Sequence, residues 1–199
     1  MRLLVVDNGT KQLDALTDIC AAGGKREVTT VTAEQYVQDL AGTGLDGFDA
    51  IVLSGDYENG LAWEQSYFLR ETELVMDTAK PILGIGLGFE LILYAAGYQL
   101  HEVAERTEGA TRVVPTEDGS KVFQGTDPII VADGHRWNID ELPKGFVALA
   151  KSETGIEAIR HKTKLMYGLQ LHPENFKYSS DAKMVFENIF EVFAKNVSQ

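Results

Sequence analysis

The stretch Pro81-Ile-Leu-Gly-Ile-Gly-Leu-Gly-Phe-Glu-Leu-Ile92 does most to limit the folds open to this chain. It reads as a buried strand, a glycine-lined turn and the start of a helix. Such an elbow lifts one side chain above the sheet edge and aims the first N–H groups of the helix at the same spot. Enzymes built on this elbow place Ser or Cys at its apex. The apex here is Gly86, which has no side chain to attack with.

The rest of the first half repeats the strand–helix alternation. Leu3 to Val6 is an apolar run closed by Asp7-Asn8-Gly9, and Thr10 to Ala22 carries Leu13, Leu16, Ile19 and Cys20 at helical spacing. Glu27 to Thr32 is strand-like, Ala33 to Leu40 a short helix, and Asp49 to Ser54 a buried strand. Trp63 to Ala79 reads as a long helix, followed by strand Ile82 to Ile85 and helix Leu87 to Ala96. Continuous apolar strands between helices indicate a parallel sheet covered on both faces. The second half is richer in strands: Gln99 to Val103, Thr111 to Pro115, Ile129 to Ala132, Phe146 to Ala150, Ile156 to His161 and Leu165 to Leu171. Several connections there are too short for a crossover helix, so antiparallel pairs are expected. A terminal amphipathic helix spans Asp181 to Lys195. The expectation is one α/β domain over residues 1–199.

Composition narrows the function classes. The formal net charge of −12 argues against nucleic acid or an anionic membrane as partner. No apolar run approaches the roughly 20 residues of a membrane span. Met1-Arg-Leu-Leu-Val-Val-Asp7 is too short and too soon acidic for a signal peptide, and is expected to be the first strand. A single cysteine, Cys20, excludes an internal disulfide framework and suits a reducing, cytoplasmic setting. Cys20 lies on the apolar face of its helix and is read as packing. His101, His135 and His161 show no metal-ligand spacing to a carboxylate or cysteine, so neither a metal site nor a cofactor is expected. Gly84-x-Gly86-x-Gly88 lacks the dinucleotide spacing and does not follow the first strand, which disfavours a phosphate loop. Trp63, Tyr67 and Phe68 read as core or interface.

A second segment, Tyr167-Gly-Leu-Gln-Leu-His-Pro-Glu174, closes the last strand. Taken with the elbow, it resembles the class I glutamine amidotransferase domain, whose elbow reads G-x-C-x-G-x-Q and whose last strand reads G-x-Q-x-H-P-E. The resemblance extends over nearly the whole chain: Val5-Val-Asp-Asn8, Ile51-Val-Leu-Ser-Gly55, His135 through Leu142-Pro-Lys-Gly-Phe146, and Ile156-Glu-Ala-Ile-Arg-His161. It implies a flavodoxin-like, mostly parallel sheet with extra antiparallel strands in the C-terminal half. It also implies a site in which a thiolate attacks the glutamine amide, a histidine shuttles the proton and a carboxylate orients the histidine. Carried over, His172 is the histidine, Glu174 the carboxylate and Gly86 the cysteine position. The Leu87 N–H and a residue of Gly55-Asp56 would form the oxyanion hole.

Departures from the family pattern exceed one position. The resemblance places Glu90, His135 and Trp137 with Gly55, Asp56 and Leu87 in the substrate pocket. Glu90 stands at the glutamine-contacting position, where the family usually has Gln, and Gly55-Asp56-Tyr57 replaces a glycine-rich turn. Around His135, the residues are Gly134 and Trp137 rather than a small polar residue and an aspartate. The leading expectation is therefore an amidotransferase-like protein without glutaminase activity, retained to bind a ligand in the old glutamine pocket or a partner. By resemblance to stand-alone subunits such as that of GMP synthase, the partner would be a synthetase. Two alternatives stay open: an active amidotransferase in which Gly86 is a variant, and another hydrolase using water activated by His172. A purely structural role for His172 is also open.

Overall fold

The computed structural model describes residues 1–41, 45–56, 66–98, 100–102, 109–125, 127–135, 137–139, 141–175 and 182–197. In chain order the elements are β1 (Arg2–Asp7), α1 (Leu13–Ala21), β2 (Glu27–Thr32), the single turn α2 (Ala33–Gln35), β3 (Ala50–Leu53), α3 (Ser66–Asp77), β4 (Ile82–Ile85) and α4 (Leu87–Ala95). There follow β5 (His101–Glu102), β6 (Gly109–Pro115), β7 (Ile129–Asp133), β8 (Trp137–Asn138), β9 (Phe146–Lys151), β10 (Ile156–His161), β11 (Met166–Leu169) and α5 (Ala182–Val197).

Nine strands form one sheet in the order β2-β1-β3-β4-β11-β10-β9-β6-β7. From β2 to β11 neighbours run parallel, and from β11 onward they run antiparallel. Strands buried on both faces need apolar side chains at every position. In β1, Leu3 and Val5 face α1 and α5, while Leu4 and Val6 face α2, α3 and α4. Cys20 is fully buried in the first of these layers, as its place on the helix face predicts. The second holds Phe68, with Tyr67 edge-on to its ring; Trp63 and Tyr57 lie outside the described residues.

Two elements differ from the pattern expected along the chain. The helix expected over 33–40 is one α turn, after which Tyr36–Leu40 widens so that the Ala41 N–H reaches Tyr36 O. Of the strand expected over Gln99 to Val103, the described part is β5, which pairs with β8 in a separate two-stranded ribbon. The helix expected over Trp63 to Ala79 is present over its described part as Ser66–Asp77; residues 63–65 lie outside the described residues. Among the described residues, no helix is long and apolar enough to cross a membrane.

Candidate functional site

In parallel sheets, ligands gather beyond the carboxyl ends of the strands. Three such ends lie side by side here, because β4 pairs with β3 on one edge and with β11 on the other. Ser54-Gly55-Asp56 follows β3, Gly86 follows β4, and Gln170-Leu171-His172 follows β11. The Gly86 N–H donates to Leu169 O at 2.8 Å, and the Gly88 N–H donates to Ser54 O at 3.3 Å, so the three ends are tied together. Gly86 caps α4 with φ 51° and ψ −109°, a conformation that strains any residue with a Cβ. Gly84 and Gly88 have a different task. A Cβ on Gly84 would run into Gly88 O, and one on Gly88 into Leu53 O. These two glycines let α4 lie directly on the strands, which accounts for the pattern without a phosphate.

His172 projects over this junction. Its Nδ1 is 2.8 Å from Glu174 Oε1. An ionised carboxylate only accepts, so Nδ1 carries a proton and Nε2 is turned toward Gly86. Burial opposes charging the ring, but Glu174, fully buried beside it, outweighs that and raises the imidazole above its usual range. The ring lies against two glycines: an ideal Cβ on Gly55 or on Gly86 would come within 2.9 Å of His172 Cε1. A Cβ on Gly86 would also lie 3.2 Å from Nε2. His172 thus stands over Gly86, held by a carboxylate. Leu87 opens α4, where the first N–H groups of a helix lack internal partners.

Glu90 and His135 are both buried. Glu90 sits one turn along α4, its N–H on Gly86 O, and its Oε1 accepts from Gln170 Nε2 at 3.3 Å. Burial pushes its carboxyl up to about 7, only partly offset by Gln170. His135 is buried between two carboxylates: Nε2 is 3.3 Å from Asp133 Oδ1 and 3.7 Å from Glu157 Oε1. Burial alone would lower its pKa, but these carboxylates raise it to about 10. Asp133 lies two positions from His135 in the chain, but nothing in the linear spacing pointed to Glu157 as a member of the cluster. Gln170 and His172 create it, since the Gln170 N–H donates to Glu157 O and the His172 N–H to Ala132 O. Trp137 stands on β8 and packs on the α4-side core. Asp56 follows Gly55, with Oδ1 3.7 Å from where a Gly9 Cβ would lie.

A further group is invisible in the linear pattern. The Asn8 N–H donates to Ser54 Oγ at 2.8 Å, and Asn8 Nδ2 donates to Glu71 Oε2 at 3.0 Å and Ser54 O at 3.3 Å. Glu71 is fully buried on α3, and burial pushes its carboxyl to about 8. These contacts brace the turn after β3. Asn8 was legible as part of the Asp7-Asn8-Gly9 turn; Glu71, inside a polar helix face, carried no signal.

The family model for glutamine amidotransferase class-I matches residues 4–192. The chain belongs to the class I glutamine amidotransferases. It is 28% identical over 193 residues to a glutamine-hydrolyzing GMP synthase subunit of Thermoplasma volcanium, covering 96% of this chain and 92% of that one. The protein of the same name from Methanosarcina acetivorans is 34% identical over 146 residues, 72% of this chain and 73% of the relative. The crystal structure of a protein described as a GMP synthase subunit from Thermoplasma acidophilum superposes with TM-score 0.86 at 26% identity, covering 100% of this chain and 96% of that chain. The chain therefore shares its fold with the Thermoplasma acidophilum structure, and that structure and the Thermoplasma volcanium relative match it over nearly its full length.

Proposed function

We propose that this amidotransferase-family protein does not hydrolyse glutamine and serves in a binding or regulatory role beside a synthetase. The observation that carries the reading is the elbow apex, where Gly86 lies under His172 with nothing to attack a carbonyl. Glutaminase chemistry of this class needs an atom that bonds to the amide carbon while the histidine passes its proton to the leaving ammonia. His172 and Glu174 can hold and move a proton, but no acyl intermediate can form on a glycine. Loss of the nucleophile from a triad lowers turnover by about 10⁶-fold. The similarity to proteins named as GMP synthase subunits supports a synthetase as the partner.

Ammonia release from glutamine, measured with the unaltered protein and with Gly86→Cys, tests this. The unaltered protein is expected to release none above background. Turnover by it, abolished in His172→Ala, would overturn the proposal. Turnover confined to Gly86→Cys would show that the glycine alone silences the site. Glutamine or another ligand held in the old pocket would appear as a concentration-dependent rise in melting temperature.

A further inference from the structure

Behind His172, the ends of β7 and β10 bring Asp133, His135 and Glu157 together, with one ligand-type atom from each within 4.8 Å of the others, all buried. We infer that this cluster is a binding site for a divalent transition cation of the zinc type, held by Asp133, His135 Nε2 and Glu157. Nothing in the amidotransfer reading requires it.

The first support is spacing. His135 Nε2 lies 3.3 Å and 3.7 Å from the two carboxylate oxygens. In a tetrahedral zinc site with ligands at about 2.0–2.1 Å, neighbouring ligand atoms stand about 3.3–3.4 Å apart. The second support is a set of buried polar atoms that make no hydrogen bond among the described residues. His135 is 5% exposed, yet neither ring nitrogen has a hydrogen-bond partner among the described residues, and Glu157 Oε2 is likewise buried without one. Nε2 approaches both carboxylates without the alignment of a hydrogen bond to either. A cation on Nε2 leaves one unpaired N–H on the ring instead of two. The third support is charge. Two buried carboxylates carry two negative charges, of which a protonated His135 offsets one and a divalent cation both.

The surroundings fit a metal as well. Coordinating carboxylates are normally fixed by hydrogen bonds of their own. Asp133 Oδ2 accepts from Thr111 Oγ1 at 3.0 Å, and its Oδ1 from the Gly134 N–H at 2.8 Å. Glu157 Oε1 accepts from Ser152 Oγ at 2.6 Å and Thr154 Oγ1 at 3.2 Å. Three ligands, one of them an imidazole, suit zinc. Calcium needs six or more oxygens, and magnesium keeps a near-octahedral shell with several waters.

The test uses the full chain stripped of metal by a chelator and titrated with Zn²⁺ alone against a chromophoric competitor. One equivalent is expected to bind, and Zn²⁺ at one hundred times its Kd should raise Tm by roughly 5–10 °C. Glu157→Gln and His135→Gln should each weaken binding by about 100-fold or more and abolish that rise. Millimolar Mg²⁺ should give no such shift. X-ray absorption on the zinc-loaded protein should show a nitrogen–oxygen shell that includes one imidazole and no sulfur. If either variant fails to fold, Thr111→Val, which loosens Asp133 alone, should weaken zinc by about 10–100-fold. Absence of zinc binding would overturn the inference, and so would equal binding by the folded variants or a sulfur ligand. The readout is independent of glutamine turnover, so it stands or falls separately from the proposed function.

Discussion

Gly86→Cys is expected to lower the melting temperature even though it introduces the nucleophile that the resemblance would place there. The glycine sits at φ 51° and ψ −109°. Holding a non-glycine residue in such a sparsely populated region costs about 1–3 kcal/mol. The new Cβ would also sit 2.9 Å from His172 Cε1 and 3.2 Å from Nε2, so the ring must give way by a few tenths of an ångström. It must do so while tethered to Glu174 by a 2.8 Å bond. At 199 residues, each kcal/mol moves Tm by about 2–4 °C, so the fall should be roughly 2–12 °C. Thermal unfolding of the parent, Gly86→Cys and Gly86→Ala in one buffer measures it. If backbone strain dominates, the alanine and cysteine variants fall together. Adding His172→Ala to Gly86→Ala removes the steric part and leaves the backbone part, in a double-mutant cycle. Unchanged or higher melting in both single variants would refute the reasoning.

Two further outcomes follow from buried groups. Glu71 should make the protein less stable as pH rises from about 4.5, its ordinary value, through about 8 in the fold, since over that window the folded state retains a proton that the unfolded chain has released. Glu71→Gln keeps an oxygen for Asn8 and should flatten that slope, raising Tm at pH 8 more than at pH 5; an equal shift at both would sink the explanation. Cys20, fully buried with its thiol pushed by burial to about 12, should resist a thiol-reactive disulfide in the native protein and react at once in denaturant. Rapid native labelling would show that α1 opens readily.

The sheet's parallel half was legible because its strands are short and apolar throughout: Leu3 to Val6, Ile51 to Leu53 and Ile82 to Ile85 have one physical reading, burial on both faces. His172 and Glu174 were legible through the resemblance that carried both over, and their spacing of two positions keeps the contact between them local. What lay outside the sequence was depth and adjacency. The resemblance marked Glu90 as a pocket position but carried no sign of its burial or of the bond from Gln170. His135 showed no partner along the chain beyond Asp133, because Glu157 reaches it only through the segment after β11. The split of a strand into β5, paired with β8 apart from the main sheet, depends on which edges are already taken. Local pattern does not encode that.

The place of β11 has a consequence for how the molecule assembles. It enters the sheet between β4 and β10, pairing Met166 with Ile82 across much of the chain. Until those residues have been made and docked, β4 has an open edge and the antiparallel strands have no parallel half to join. Closing so long a loop is slow and leaves apolar edges exposed meanwhile. The junction of Gly55, Gly86 and His172 is therefore incomplete until β11 has docked beside β4. A ribosome-bound chain that has not yet released β11 can hold the elbow, but not the site.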